Sequence, residues 1–269
     1  MAKVVGAFAT SHILMSPEGL GERAERVFQG MRDLGERVRA LKPDALVMIS
    51  GDHMFNINMG MQIPLCIGIA DRWMPFGDMG IDRRPFPGHR ALAEHIVEQT
   101  ALDGFDLAKS EELEPDHGVT LPHAFADPRK TIPTVPLLVN INMTPMPQPA
   151  RCFRLGRALG KAISSFGKPD MRVAVIGTGG LSHWLCVPRM GEVATDFDRM
   201  VMREITEGRA EKLSQMSAAE VVERSGNGGI EIVTWLMAAA TLPGKTGTSV
   251  YYEAMPEWLT GMGGIELRA

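Results

Sequence analysis

Three of the seven histidines in this chain sit just past the ends of strand-like runs. His12 follows Val4–Ala9, His53 follows Ala45–Ser50, and His183 follows Arg172–Gly177 and the small-residue turn Thr178-Gly179-Gly180. In an open α/β sheet, ligands bind in the crevice beyond the carboxyl ends of the strands, so the three imidazoles are expected at one site. Neutral imidazole is the commonest biological metal ligand. Two imidazoles and one carboxylate on one face leave positions open for Fe(II) and oxygen chemistry. A lone histidine at a strand end reads as a hydrogen-bonded loop residue; the argument rests on three together.

The carboxylate has one strong candidate. Between Arg224 and Lys245 the only charged residue is Glu231, set in Gly229-Ile230-Glu231-Ile232-Val233-Thr234-Trp235, which is apolar nearly all round and reads as a buried helix. An ionised carboxylate there costs several kcal/mol unless a cation or hydrogen bonds compensate it. A metal ion would do so, and so would an arginine from elsewhere; the residues alone leave both open. His117 lies in the turn-like Glu114-Pro115-Asp116-His117-Gly118, where Asp116 is placed to orient or charge its imidazole. His123, after Pro122, is expected either to line the site or to serve the structure. His89 and His95 fall on a predicted surface helix and take no role. The turn Gly177-Thr178-Gly179-Gly180 lacks the Walker lysine and the GxGxxG spacing that would make it a phosphate cradle.

Short β-rich runs alternate with amphipathic helical stretches, the pattern of an α/β fold with helices packed over a sheet. The spacing predicts strands at Val4–Ala9, Ala45–Ser50, Ile63–Ala70, Thr134–Asn140 and Arg172–Gly177. It predicts helices at Glu18–Leu41, Gly88–Leu102, Arg151–Phe166, Asp196–Leu213 and Gly229–Leu242. The first helix carries an apolar stripe from Leu20 to Leu41 and stops at Pro43. Trp73–Pro87, rich in Gly, Pro and Asp, reads as a long loop of the kind that often carries function. No repeat or linker divides the 269 residues, so one catalytic domain over 1–269 is expected. The nineteen methionines read as adaptable core filler.

With 28 basic and 32 acidic residues and no basic block, nucleic acid is excluded as a partner and a small molecule is the default. No apolar run approaches a membrane span, and no signal-peptide layout opens the chain, so a cytoplasmic protein is expected. Three scattered cysteines, Cys66, Cys152 and Cys186, make neither a disulfide framework nor a thiolate zinc site.

Taken in order, Thr10-Ser11-His12, Gly51-Asp52-His53, Asp116-His117-Gly118, Arg151-Cys152-Phe153, Gly177-Thr178-Gly179-Gly180-Leu181-Ser182-His183 and Gly229-Ile230-Glu231 form a recognisable set. Nearly the whole chain resembles a class III extradiol ring-cleavage dioxygenase. It is most similar to the catalytic β subunit of protocatechuate 4,5-dioxygenase and to single-chain relatives acting on dihydroxyphenylpropionate, gallate or dihydroxypyridine. The resemblance implies a three-layer α/β/α fold with a mixed central sheet. It implies Fe(II) held by His12, His53 and Glu231, His183 as catalytic acid/base, and His117 as a further catalytic-site histidine beside the substrate. The implied reaction is extradiol opening of a catechol-like or heteroaromatic diol by O2.

One stretch departs from the protocatechuate type. Where that type holds its substrate carboxylate, this chain reads Pro256-Glu257-Trp258-Leu259, an ending closer to the single-chain relatives. Glu257 and Trp258 are therefore expected near the substrate, with His123. The small α subunit that caps the protocatechuate enzyme is absent from this chain, so either a separate partner supplies it or the chain works without one. A homo-oligomer is expected. Two rival functions use the same residues: a zinc hydrolase built on the His-His-Glu set, although no HExxH helix is present, and a non-catalytic binding relative.

Overall fold

The strand-like runs before His12, His53 and His183 are buried except for Arg172 at the start of the third, and alternate residues face opposite layers. Ala7, Ala9, Val47, Ile49, Val173 and Val175 join one apolar core. Phe8, Leu46, Met48, Ala174 and Ile176 join the other. This two-residue period, apolar on both sides, belongs to strands covered by helices above and below.

The computed structural model describes Met1–Ala269. In chain order the elements are β1 (Lys3–Thr10), α1 (Glu22–Ala40), β2 (Ala45–Gly51), β3 (Leu65–Gly68), β4 (Arg72–Trp73), β5 (Phe86–Pro87), α2 (Arg90–Leu102), β6 (Ala108–Ser110) and α3 (His117–Ala126). They continue with β7 (Thr134–Val139), α4 (Pro149–Ser165), β8 (Arg172–Thr178), α5 (Thr195–Thr206), α6 (Ala210–Leu213), α7 (Ala218–Ser225), α8 (Ile232–Ala240), β9 (Gly247–Met255) and β10 (Thr260–Arg268). Eight strands form one sheet in the order β6-β3-β7-β2-β8-β1-β10-β9, while β4 and β5 pair separately. The central strands β7, β2, β8 and β1 run parallel; β3 opposes β7, and the β9–β10 hairpin is antiparallel beside β1. Helices α2, α4, α5 and α8 cover one face, and α1 and α3 cover the other. The expected three-layer α/β/α fold with a mixed sheet is the one observed.

Because β1, β2 and β8 are parallel neighbours, their carboxyl ends share one edge, which brings the segments carrying His12, His53 and His183 together. The N-terminus of α3 closes that edge from one side. Thr178 Oγ1 donates to Gly118 O at 2.6 Å, and a Cβ on Gly118 would collide with Ser50 Oγ, so only glycine lets the helix sit this close.

Several elements differ from the sequence-based expectations. The strand expected at Ile63–Ala70 is confined to Leu65–Gly68. The single helix expected over Asp196–Leu213 is broken into α5 and α6 at Gly208, whose φ of 75° no helix accommodates. Gly229–Leu242 begins as a 3₁₀ turn, Gly229–Glu231, before α8. The turn-like segment at His117 is instead the first turn of α3, capped by Asp116. The C-terminal hairpin had no counterpart among the expected strands. No helix is long and apolar enough to cross a membrane.

Candidate active site

His12 is fixed by what its neighbours bond. Thr10 Oγ1 pairs with Tyr251 Oη at 2.8 Å, and Ser11 exchanges bonds with Gly263, N to O at 2.9 Å and Gly263 N to Ser11 Oγ at 3.0 Å. The β10 strand thus grips the chain on the N-terminal side of His12. It also grips the segment before His183, through Leu181 N to Gly261 O at 2.9 Å and Gly261 N to Ser182 O at 3.0 Å. Asp198 adds a second anchor there, accepting from Ser182 N and Ser182 Oγ, each at 2.9 Å, and from Tyr252 Oη at 2.9 Å. Burial raises the Asp198 carboxyl to about 6 against the pull of those donors.

His53 hangs from Asp116. Its backbone N donates to Asp116 Oδ2 at 3.0 Å, and its Nδ1 lies 2.9 Å from the same oxygen. His117, at the start of α3, pairs through Nδ1 with Asp78 Oδ2 at 2.5 Å, from the long loop between β4 and β5. Each imidazole therefore spends Nδ1 on a carboxylate and keeps Nε2 for the site. The ring centroids lie close: His12–His53 4.9 Å, His12–His117 5.2 Å and His53–His117 4.1 Å.

Glu231 sits beneath them, fully buried, with no lysine or arginine as partner. Its Oε1 lies 3.5 Å from His12 Nε2 and 3.4 Å from His53 Nε2, and its Oε2 lies 3.9 Å from His183 Nε2. Gly180 N donates to Oε2 at 2.6 Å, and a Cβ on Gly179 would come within 2.8 Å of that oxygen. Trp235 Nε1 to Gly179 O and Thr234 Oγ1 to Thr178 O, both 2.9 Å, tie the helix to the β8 turn. Of the two sequence-based readings of Glu231, pairing with an arginine is thus excluded.

The charges follow from this packing. Burial drives His12 down to about 3, so its ring is neutral. Burial would lower His53 too, but the bonds to Asp116 and Glu231 outweigh it and raise this imidazole to about 10. Burial opposes ionisation of Glu231, and the imidazoles around it, His12 first and then His53 and His183, hold it below the ordinary carboxylate range. Three groups thus gather around one point as a neutral imidazole, an imidazolium and a carboxylate, an arrangement in which a divalent cation, if bound, would take the place of the His53 proton. The buried Nδ1 of His12 has no hydrogen-bond partner. His12, His53 and His117 by themselves place ligating atoms within 4.8 Å of one another, so this cluster has the donor set for a metal ion. The carboxylates behind His53 and His117 are the outer partners that metal-binding histidines usually have.

His183 is held differently. Its Nδ1 meets Leu181 O at 3.0 Å, and its backbone N donates to Ser225 O at 2.8 Å. Its ring lies against Gly228, where a Cβ would overlap Nε2. The four imidazoles and Glu231 line a cavity of about 260 Å³, and Trp258 and Leu259 also line it.

Two expected site residues lie elsewhere. The Glu257 side chain turns outward to pair with Arg23 on α1, and only its neighbour Trp258 reaches the cavity. His123 is buried outside the cavity, stacked on Phe86 with centroids 4.4 Å apart, and burial lowers it to about 4. Its ring faces apolar packing because the α3 turn that carries His117 to the site carries residue 123 to another face.

Residues 6–263, a span enclosing all of these groups, match the family model described as the catalytic LigB subunit of aromatic ring-opening dioxygenase. The chain belongs to this family. The 2,3-dihydroxyphenylpropionate/2,3-dihydroxicinnamic acid 1,2-dioxygenase of Photorhabdus laumondii is 25% identical, with 91% of this chain and 90% of that protein aligned. The enzyme of the same name from Rhodococcus jostii is 26% identical over 82% of this chain and 84% of its own length. The gallate dioxygenase of Pseudomonas putida is 33% identical over 60% of this chain, which covers 48% of that protein. An uncharacterized protein from Escherichia coli K12, known from a crystal structure, shares the fold with a TM-score of 0.61 at 17% identity, covering 97% of this chain and 99% of that one. In this chain, the residues that hold Glu231 and the imidazoles in place extend well past the histidines themselves. Asp78 and Asp198 are site residues that the sequence reading did not assign, and Asp116, read there as the partner of His117, holds His53 instead.

Proposed function

We propose that this chain, as one catalytic domain over 1–269, is an Fe(II)-dependent extradiol dioxygenase that opens the ring of a catechol-like diol. The observation that carries the reading is the approach of two imidazole Nε2 atoms to one oxygen of a buried carboxylate, at 3.5 and 3.4 Å, with no other cation nearby. His12, His53 and Glu231 would hold the metal, and His117 would stand beside the substrate. Glu231 is preferred to His117 as third ligand because a buried carboxylate without a cation is the costlier group to leave uncompensated. When bound, Fe(II) supplies open positions for the two diol oxygens and O2, and the one-electron chemistry that O2 requires.

The protein's own part is orientation and proton transfer. Bonding of Nδ1 to Leu181 O leaves His183 Nε2 facing the cavity as a proton acceptor. There it takes a hydroxyl proton from the diol and returns it to the oxygen that leaves as the O–O bond breaks. The sum is one diol plus one O2 giving one ring-opened hydroxymuconic semialdehyde-type acid, with both oxygen atoms kept. Three unpaired cysteines agree with a cytoplasmic setting.

The test is oxygen uptake with a panel of catechols after anaerobic loading with Fe(II) or Zn(II). Uptake matched by a yellow ring-fission product, with iron only, is the expected result. Full activity of the zinc form, or hydrolysis without oxygen uptake, contradicts it.

A further inference from the structure

Apart from the imidazoles, the cavity has no side chain that could carry a positive charge. Neither lysine nor arginine lines it. The arginines flanking the loops around it are engaged with acids: Arg23 with Glu257, Arg83 with Glu114, and Arg189 with Glu192. Behind the imidazoles stand three carboxylates, Glu231, Asp116 and Asp78, whose combined charge exceeds that of one divalent ion. A second anionic group on a substrate would enter a field that repels it, with no cation to pair with.

The neutral polar groups on the wall carry no charge to fill that gap, and each already spends part of its hydrogen-bonding capacity within the protein. Asn227 Oδ1 accepts from Leu185 N at 2.8 Å and its Nδ2 donates to Leu185 O at 3.0 Å. Asn142 Nδ2 donates to Asp52 O at 2.5 Å, and Thr260 Oγ1 donates to Gly261 O at 3.1 Å. The remaining side chains of the wall are apolar: Ile13, Ile141, Leu185, Trp258 and Leu259. The apolar character continues outward. Phe55, on the loop after His53, stacks on Phe76 with centroids 3.9 Å apart, and Met54, Met79 and Met190 are exposed on the loops beside His53, Asp78 and His183. Core filler does not describe these methionines.

From this the geometry points to an uncharged diol, a catechol whose ring substituent is apolar, as the substrate, with carboxylated diols disfavoured. The inference rests on the ring-opening reading above and narrows it. It also separates this chain from relatives whose names carry a propionate or gallate. The apolar wall would take the substituent, and the two diol oxygens would face the imidazoles.

A matched pair isolates the charge: 2,3-dihydroxyphenylpropionate and its methyl ester, in which two methylenes keep the ring electronics the same. Anaerobic calorimetric titration of the Fe(II)-loaded protein gives the affinity ratio, and oxygen uptake gives the ratio of kcat/KM. The ester is expected to lead by at least about tenfold in both. Leu185→Arg, which sets a cation at the cavity wall, is expected to shift the binding ratio toward the acid by about tenfold. Equal or tighter binding of the acid to the unaltered protein overturns the inference, as does failure of both compounds to bind. Binding with the expected ratio but without turnover of either compound upholds it and sinks the ring-opening reading instead.

Discussion

The imidazole of His183 rests on the backbone of Gly228, so closely that a Cβ at that position would overlap Nε2. Gly228 has φ −83° and ψ −22°, a conformation that alanine adopts without strain. Gly228→Ala is therefore a steric probe of His183, whose ring supplies the three atoms nearest to the added Cβ. Turnover is expected to fall by roughly 10²-fold, toward the loss typical of a displaced acid/base, with little change in metal content or urea midpoint. Steady-state oxygen uptake and metal analysis on one preparation check this; unchanged turnover would mean that the His183 ring has no part in the chemistry.

Asp116 and Asp78 make the same kind of bond to different histidines, which separates the two histidine roles. If His53 is a ligand and His117 is not, Asp116→Asn should weaken metal binding by about 10–100-fold, while Asp78→Asn leaves it nearly intact. Competition against a chelating dye measures both. Equal losses would make His117 a ligand.

Asp198 gives a pH signature. Its folded carboxyl is raised to about 6 from an ordinary 3.8, chiefly by burial, so the fold favours its protonated form. The associated stability is fully present below about pH 4 and is lost as pH rises through 6. Asp198→Asn removes this dependence. The variant should gain about 1–3 kcal/mol on wild type between pH 4 and pH 7.5, read from urea unfolding at several pH values. A flat difference across that range would show that the carboxyl titrates normally.

The parts of this site that were legible in the sequence are those set by strand ends. Parallel order puts His12, His53 and His183 on one edge, and a lone acid in an apolar helix advertises Glu231 as buried. The partners that orient them were not legible, because they come from distant segments. Asp116 reads as the partner of its neighbour His117, yet its carboxylate turns back as a helix cap and holds His53, while Asp78, thirty-nine residues away, holds His117. The long Gly- and Pro-rich loop announces function but not which of its acids supplies it. Glu257 and Trp258 are adjacent, and the tight turn between β9 and β10 sends one outward to Arg23 and the other inward toward the cavity and Ser16 O. The strand pattern of that hairpin is diluted by glycines at 261, 263 and 264, which close approach to Asp198, Leu181 and Tyr251 requires.

The central claim, that Glu231 completes a metal site with His12 and His53, is tested most directly by iron content. Glu231→Gln, His117→Gln and His183→Gln are loaded with Fe(II) without oxygen, freed of excess metal, and analysed for iron per chain beside wild type. Glu231→Gln should lose most of its iron, since an amide cannot replace the charge that two imidazoles lack. His117→Gln and His183→Gln should keep close to the wild-type amount. Iron retained by Glu231→Gln and lost from His117→Gln would contradict the account and make the three histidines the metal site.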